Sequence, residues 1–184
     1  MESFKLEHMM RLPAQLKGFT LFEMIMGLCL ISILSIYAVP NYRTFKQNSV
    51  MTQELNRLVA NINYARNQSI TLSQHIILCS TETFLDCDGE SQWHKGWLVF
   101  VDLDRNRKYD NNDQLLLVEH KMKTGLHAVA SRYRKLIRFD QMGFSPGTNL
   151  TIRFCDQRGA ESGKAIIISN VGRPRVSQEI NHCG

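Results

Sequence analysis

The chain has 184 residues, a formal net charge of +5, 43% hydrophobic residues and 21% charged residues. That composition excludes wholesale disorder and suits one ordinary domain, or one domain with an appendage. The cysteines show no C-x-x-C spacing, which speaks against a zinc ribbon or a thioredoxin-like site.

The first segment, residues 1–18, is a leader ending in Lys17-Gly18. Phe19–Val39 follows, a run of 21 residues with a single charge, Glu23. As a helix at about 1.5 Å per residue it reaches roughly 30 Å, enough to cross a bilayer core. An ordinary secretory signal places its apolar region before a small-residue cleavage site. Pro40-Asn41-Tyr42-Arg43 offers no such site, and the order here is reversed: basic leader, glycine, apolar run.

This arrangement resembles a type IV prepilin signal. Lys17-Gly18 stands before the cut, Phe19 becomes the first residue, Thr20-Leu21 follow, and Glu23 falls at mature position five. Pro40 lies where pilin helices commonly kink. The resemblance implies that a prepilin peptidase cleaves after Gly18 and methylates the new amine of Phe19. It also implies that Glu23 pairs with the terminal amine of a neighbouring subunit. An ionisable group inside a membrane costs about 2.5–3.5 kcal/mol or more, so it needs such a partner.

Further along, Leu55, Leu58, Val59, Ile62 and Ala65, then Ser69 and Leu72, recur at helical spacing, the pattern of one buried face. A proline bends a helix without always ending it. One helix is therefore expected from about Thr20 to Ser73, roughly 80 Å long. Residues 19–39 are its membrane or filament-core half, and residues 40–73 its amphipathic half.

After Ser73 the period changes. β-rich runs stand at His75–Cys79, Gly96–Val101, Leu115–Glu119, Leu126–Ala130, Lys135–Phe139, Leu150–Cys155 and Lys164–Ser169, separated by turn residues. Seven short strands predict one or two antiparallel sheets over residues 74–184. The expected fold class is α+β, a long N-terminal helix packed on a globular head of antiparallel β-sheet with a basic C-terminal tail, and the resemblance implies that it is type IV pilin-like. Cys29 lies in the apolar helix, and Cys79, Cys87, Cys155 and Cys183 lie in the head. An exported head meets an oxidising periplasm. Of the possible pairings, Cys79–Cys87 and Cys155–Cys183 each close a local loop. The second is worth roughly 3–4 kcal/mol by chain entropy and ties the tail to the sheet.

Three patterns suggest chemistry and fail on their context. Gly143-Phe144-Ser145-Pro146-Gly147 matches G-x-S-x-G, but a nucleophile elbow needs a helix next. Pro146 disfavours one and a β-rich run follows, so a turn is expected. Asp102, Asp104, Asp110 and Asp113 space their carboxylates loosely as a calcium loop does. The sixth position is Arg107, however, and Arg105 and Lys108 also repel a cation; an acidic hairpin loop is the better reading. The histidines share no metal-ligand spacing, and no phosphate-binding glycine loop is present. No enzyme, cofactor or metal is expected.

Charge is segregated. Residues 40–79 carry a net +3, residues 80–120 a net −5 and residues 121–184 a net +7. In the last block Ile166–Val171 runs into Gly172-Arg173-Pro174-Arg175. A strand ending in a glycine turn would present both arginines, with Pro174 stiffening the backbone between them. Guanidinium groups suit phosphate oxygens through paired, charge-assisted hydrogen bonds.

The prepilin signal, the long helix, W-L-V-F-x-D-x-D at 97–104, Phe139-Asp140-Gln141-Met142-Gly143 and Gly172-Arg173-Pro174-Arg175 stand in the order seen in the GspH/FimT family. The resemblance covers nearly the whole chain. G-R-x-R is similar to the signature of FimT minor pilins, associated with DNA capture in natural transformation. It implies DNA binding at Gly172, Arg173 and Arg175. Charge density, not the motif, adds Arg132, Arg134, Lys135, Arg138 and Lys164. Strand alternation would put Arg132, Arg134 and Leu136 on one face and Lys135 on the other. Without a base-reading helix, binding would be to the phosphate backbone and insensitive to sequence. The expected partners are DNA, other pilins through the N-terminal helix, prepilin peptidase, and the inner membrane before assembly. The head is expected in the periplasm and later on the cell surface in a type IV pilus. Two rival readings are a structural minor pilin that primes assembly and a type II secretion pseudopilin, neither of which binds DNA.

Overall fold

In the computed structural model, which describes residues 18–184, helix α1 runs unbroken over Leu21–Leu72 with Pro40 inside it. The expected leader lies, apart from Gly18, outside those residues. The chain forms two units, one up to Arg43 and one of Thr44–Gly184. In the first, Thr20 and Glu23 start the helix with a capping box. The Glu23 amide donates to Thr20 Oγ1 at 3.2 Å, and the Thr20 amide donates to Glu23 Oε2 at 2.9 Å. An 18-residue window of α1 has mean hydropathy 2.1 and is not buried at all. By length and composition the helix is able to cross a membrane.

In the second unit, α1 buries Met51, Leu55, Leu58, Ile62, Ala65 and Ser69 along one stripe. Leu72, expected on that stripe, is 41% exposed because the helix stops there. The chain reverses at Ser73, whose φ is +52°.

Eight strands follow among the described residues: β1 (Ile76–Ser80), β2 (Trp97–Val101), β3 (Gln114–Glu119), β4 (His127–Ala130), β5 (Leu136–Phe139), β6 (Leu150–Cys155), β7 (Lys164–Ile168) and β8 (Pro174–Ser177). They form two four-stranded sheets, ordered β3-β2-β1-β5 and β4-β6-β7-β8, with antiparallel pairing throughout. β8 is one strand more than the sequence predicted, and it corrects the expectation that Gly172 to Arg175 is all turn. Pro174 is the first residue of an edge strand, where a missing N–H loses no ladder bond. Arg175 pairs with Ile167 inside the sheet.

The helix stripe and the inner faces of both sheets close on one core, including Ile76, Leu78, Val99, Phe139, Ile152 and Ile166. Each such side chain gains about 1.5–3 kcal/mol from burial. The far face of the first sheet carries a second cluster of Ile77, Cys79, Leu98 and Phe100, packed under Tyr109 and Leu136. β1 and β2 are therefore buried on both faces, which explains why they read as unbroken apolar runs rather than alternating ones.

Polar contacts fix α1 on the first sheet. Glu54, 3% exposed, pairs with Arg57 at 3.0 Å. The Arg57 guanidinium lies 4.9 Å over the Trp97 ring and donates to the His120 carbonyl at 3.0 Å. Disulfides join Cys79 to Cys87 and Cys155 to Cys183. In the C-terminal tail, Ile180 packs so closely on Gly163 that a Cβ there would stand 2.4 Å from Ile180 Cδ1.

Candidate nucleic-acid interface

The turn between β7 and β8 closes when the Gly172 amide donates to the Ser169 carbonyl at 2.8 Å. Gly172 has φ +78°, and a Cβ on it would lie 2.3 Å from the Gly143 carbonyl oxygen and 3.1 Å from Phe139 Cε1. Both the backbone conformation and the space demand glycine. The same Gly143 oxygen accepts from Arg66 Nε on α1 at 3.0 Å. The Ser145 amide donates to the Asn170 carbonyl at 2.8 Å. The end of α1, the 143–149 loop and the β7–β8 turn are thus locked together directly beneath Arg173.

Arg173 and Arg175 are both exposed. Arg175 lies on β8 and Arg173 one residue before that strand, so their backbones stand no more than about 7 Å apart. Arg175 shares the outer face with Ile167. Residues 164–178 contain no acid. Among the described residues neither guanidinium is engaged in an ion pair, so both remain available to an anion.

The other predicted residues fall in different places. Arg132 and Arg134 stand in a turn, closed by the Arg134 amide donating to the Ser131 carbonyl at 3.1 Å. The alternation expected there fails because residues 131–135 are not in a strand. Arg134 donates to the Gly147 and Asn149 carbonyls at 3.3 and 3.2 Å, which joins its turn to the 143–149 loop. Arg132 and Lys135 are exposed beside it. Arg138 lies on β5 opposite Ile77, on the far face of the first sheet.

Lys164 corrects the reading from charge density. It shares the inward parity of Ile166 and Ile168, and its Nζ donates to Thr52 on α1 at 3.1 Å. It therefore faces away from Arg175. Arg66, in turn, was missed. It flanks the apolar stripe one turn past Ile62, and nothing in the sequence says which loop it meets.

Ser145 is fully buried and its hydroxyl lies 2.5 Å from Thr148 Oγ1; it belongs to a loop followed by β6, not to an elbow followed by a helix. The loop after β2 gathers the carboxylates of Asp102, Asp104 and Asp113 within 4.8 Å of one another. Its own amides hold them: Leu103 N–H donates to Asp113 and Asn106 N–H to Asp104, both at 3.0 Å. Burial pushes the Asp102 carboxyl above its ordinary value. The Asp102 amide donates to the His75 carbonyl at 2.9 Å, just past the end of α1. At this end of the head the 102–113 loop, which carries Arg105, Arg107 and Lys108 beside its four aspartates, borders the first sheet, and Arg173 and Arg175 stand just before and within β8 on the second.

Residues 54–172 match the family model described as type II transport protein GspH. The match ends one residue before Arg173. No curated protein sequence matches the chain. Two crystal structures of the type IV minor pilin FimU from Pseudomonas aeruginosa are similar to it. One, at 21% identity and a TM-score of 0.54, covers 76% of this chain and 99% of that one. The other, at 19% and 0.53, covers 74% and 98%. At such identity the likeness shows a shared fold.

Proposed function

Since the chain belongs to the family of the type II transport protein GspH and has the fold of a type IV minor pilin, we propose that it is a minor pilin that binds DNA without sequence specificity, for uptake in natural transformation. The observation that carries this reading is the pair of exposed guanidinium groups at Arg173 and Arg175, set by a Gly172 that admits no side chain. Arg132 and Arg134 widen the surface; Lys164 lies outside it. Before assembly α1 anchors the chain in the inner membrane with the head in the periplasm. After prepilin peptidase cuts at Gly18, the helix packs among those of other pilins in a pilus, with Glu23 meeting the Phe19 amine of a neighbour.

The experiment is a titration of labelled duplexes of unrelated sequence with the full-length chain in detergent, at several salt concentrations. Each phosphate contact lowers log affinity by about 0.9 per unit of log salt. Roughly three to five contacts give a slope of about −3 to −5, the same for every sequence. A pseudopilin with a protein partner is the second reading, favoured by the description of the matching family; it expects no steep salt dependence.

A further inference from the structure

The basic surface carries exposed aromatic rings that phosphate binding does not use. Tyr133 is 91% exposed, between Arg132 and Arg134. Phe144, 44% exposed, stands on the 143–149 loop that Arg134 and the β7–β8 turn both hold. Both rings are placed by rigid backbone. The Tyr133 turn is closed at Ser131 and Arg134. The Phe144 amide donates to Asp140 Oδ1 at 2.9 Å, and its carbonyl accepts from the Asp140 amide at 2.9 Å.

A tyrosine left almost wholly in water adds little to the core, and a duplex, which presents phosphates outward and hides its base faces, engages its hydroxyl but not its ring. Unpaired bases have open faces, and aromatic rings beside guanidinium groups are the usual platform for them. We infer that this surface prefers single-stranded DNA, with Tyr133 and Phe144 stacking on bases while Arg132, Arg173 and Arg175 hold the phosphates between them. The inference rests on the phosphate-binding reading above and names the form of DNA that the same surface takes.

The test is a fluorescence anisotropy titration of the full-length chain in detergent against three labelled probes at one salt concentration: oligothymidine, a duplex of equal length, and an abasic oligomer of equal length. Oligothymidine should bind at least about tenfold tighter than the abasic oligomer, which offers no base to either ring, and several-fold tighter than the duplex. Stacking on one ring makes Tyr133→Ala cost roughly tenfold for oligothymidine and less than about twofold for the duplex. Tyr133→Phe should restore the preference, since it keeps the ring. Because Tyr133 is so exposed, unchanged thermal melting is expected for both variants. Equal binding of oligothymidine and duplex, or equal losses for both in Tyr133→Ala, overturns the inference while leaving phosphate binding intact. Tyr133→Ala that binds every probe like the parent but no longer enters pili also overturns it, and assigns the ring to a neighbouring pilin. Failure of all three probes to bind is a different outcome, which removes the DNA reading itself.

Discussion

Gly172 faces the carbonyl oxygen of Gly143 so closely that a Cβ on it would stand 2.3 Å away. That oxygen already accepts from Arg66 on α1 at 3.0 Å, so it has little room to retreat. Gly172→Ala should combine left-handed strain with overpacking and lose about 2–4 kcal/mol of stability. Gly89→Ala is the control: φ is +64° there, but nothing lies within 4 Å of the added carbon, and only about 1–2 kcal/mol should be lost. Thermal melting of the two variants separates the close approach from the backbone strain.

Cys155 and Cys183 close a loop with a sequence separation of 28. Cys155→Ser should lower stability by about 2–4 kcal/mol. It should also release the tail that seats Ile180 on Gly163, seen as faster proteolysis after residue 177. Melting with and without reductant, and peptide mapping of the digest, check both expectations.

Much of this was legible in the sequence, for identifiable reasons. Leu55, Leu58 and Ile62 are spaced for a helix face, and β1, β2, β6 and β7 are apolar enough to read as strands. Both local cysteine loops are the loops in the structure. β8 was not legible because it is an edge strand built from Pro174 and Arg175, residues that fit only where the ladder is one-sided. The face taken by Lys164 was not legible either. Charge counting records a residue's sign but not its parity, and parity needs the strand bounds. Arg66 was hidden because its partner lies 77 residues away in the chain.

Asp156 gives a pH prediction. Its carboxylate accepts from Arg158 Nε and Nη2 at 3.0 and 2.6 Å, and Arg158 Nη1 reaches Asn48 on α1 at 2.8 Å. The Arg158 hydrogen bonds hold the Asp156 carboxyl below its ordinary value, against the opposing effect of burial. The folded chain then takes up this proton less readily than the unfolded one. The contribution is complete above the ordinary aspartate value of about 4 and is lost as pH falls through the lower folded value. Asp156→Asn should cost about 1–2 kcal/mol at neutral pH and flatten the acid limb of the stability profile. An unchanged acid limb in that variant would place the acid sensitivity elsewhere.

Processing is testable by mass. Protein recovered from cells that contain a prepilin peptidase should begin at Phe19 and be heavier by one methyl group. Gly18→Leu should remain full length and outside the pilus. A mature chain starting anywhere else defeats the prepilin reading of the N-terminus.

The central claim is that Arg173 and Arg175 bind DNA phosphates. The most direct measurement compares the salt dependence of duplex binding by the parent chain, the Arg173→Ala/Arg175→Ala double variant and Lys164→Ala, each full length and each shown by melting to be folded. The double variant should bind all sequences more weakly, with a slope shallower by about two. Lys164→Ala, facing α1, should keep the parent slope. A double variant that binds as tightly as the parent at the same salt, with the same slope, would contradict the account and leave a structural pilin as the better one.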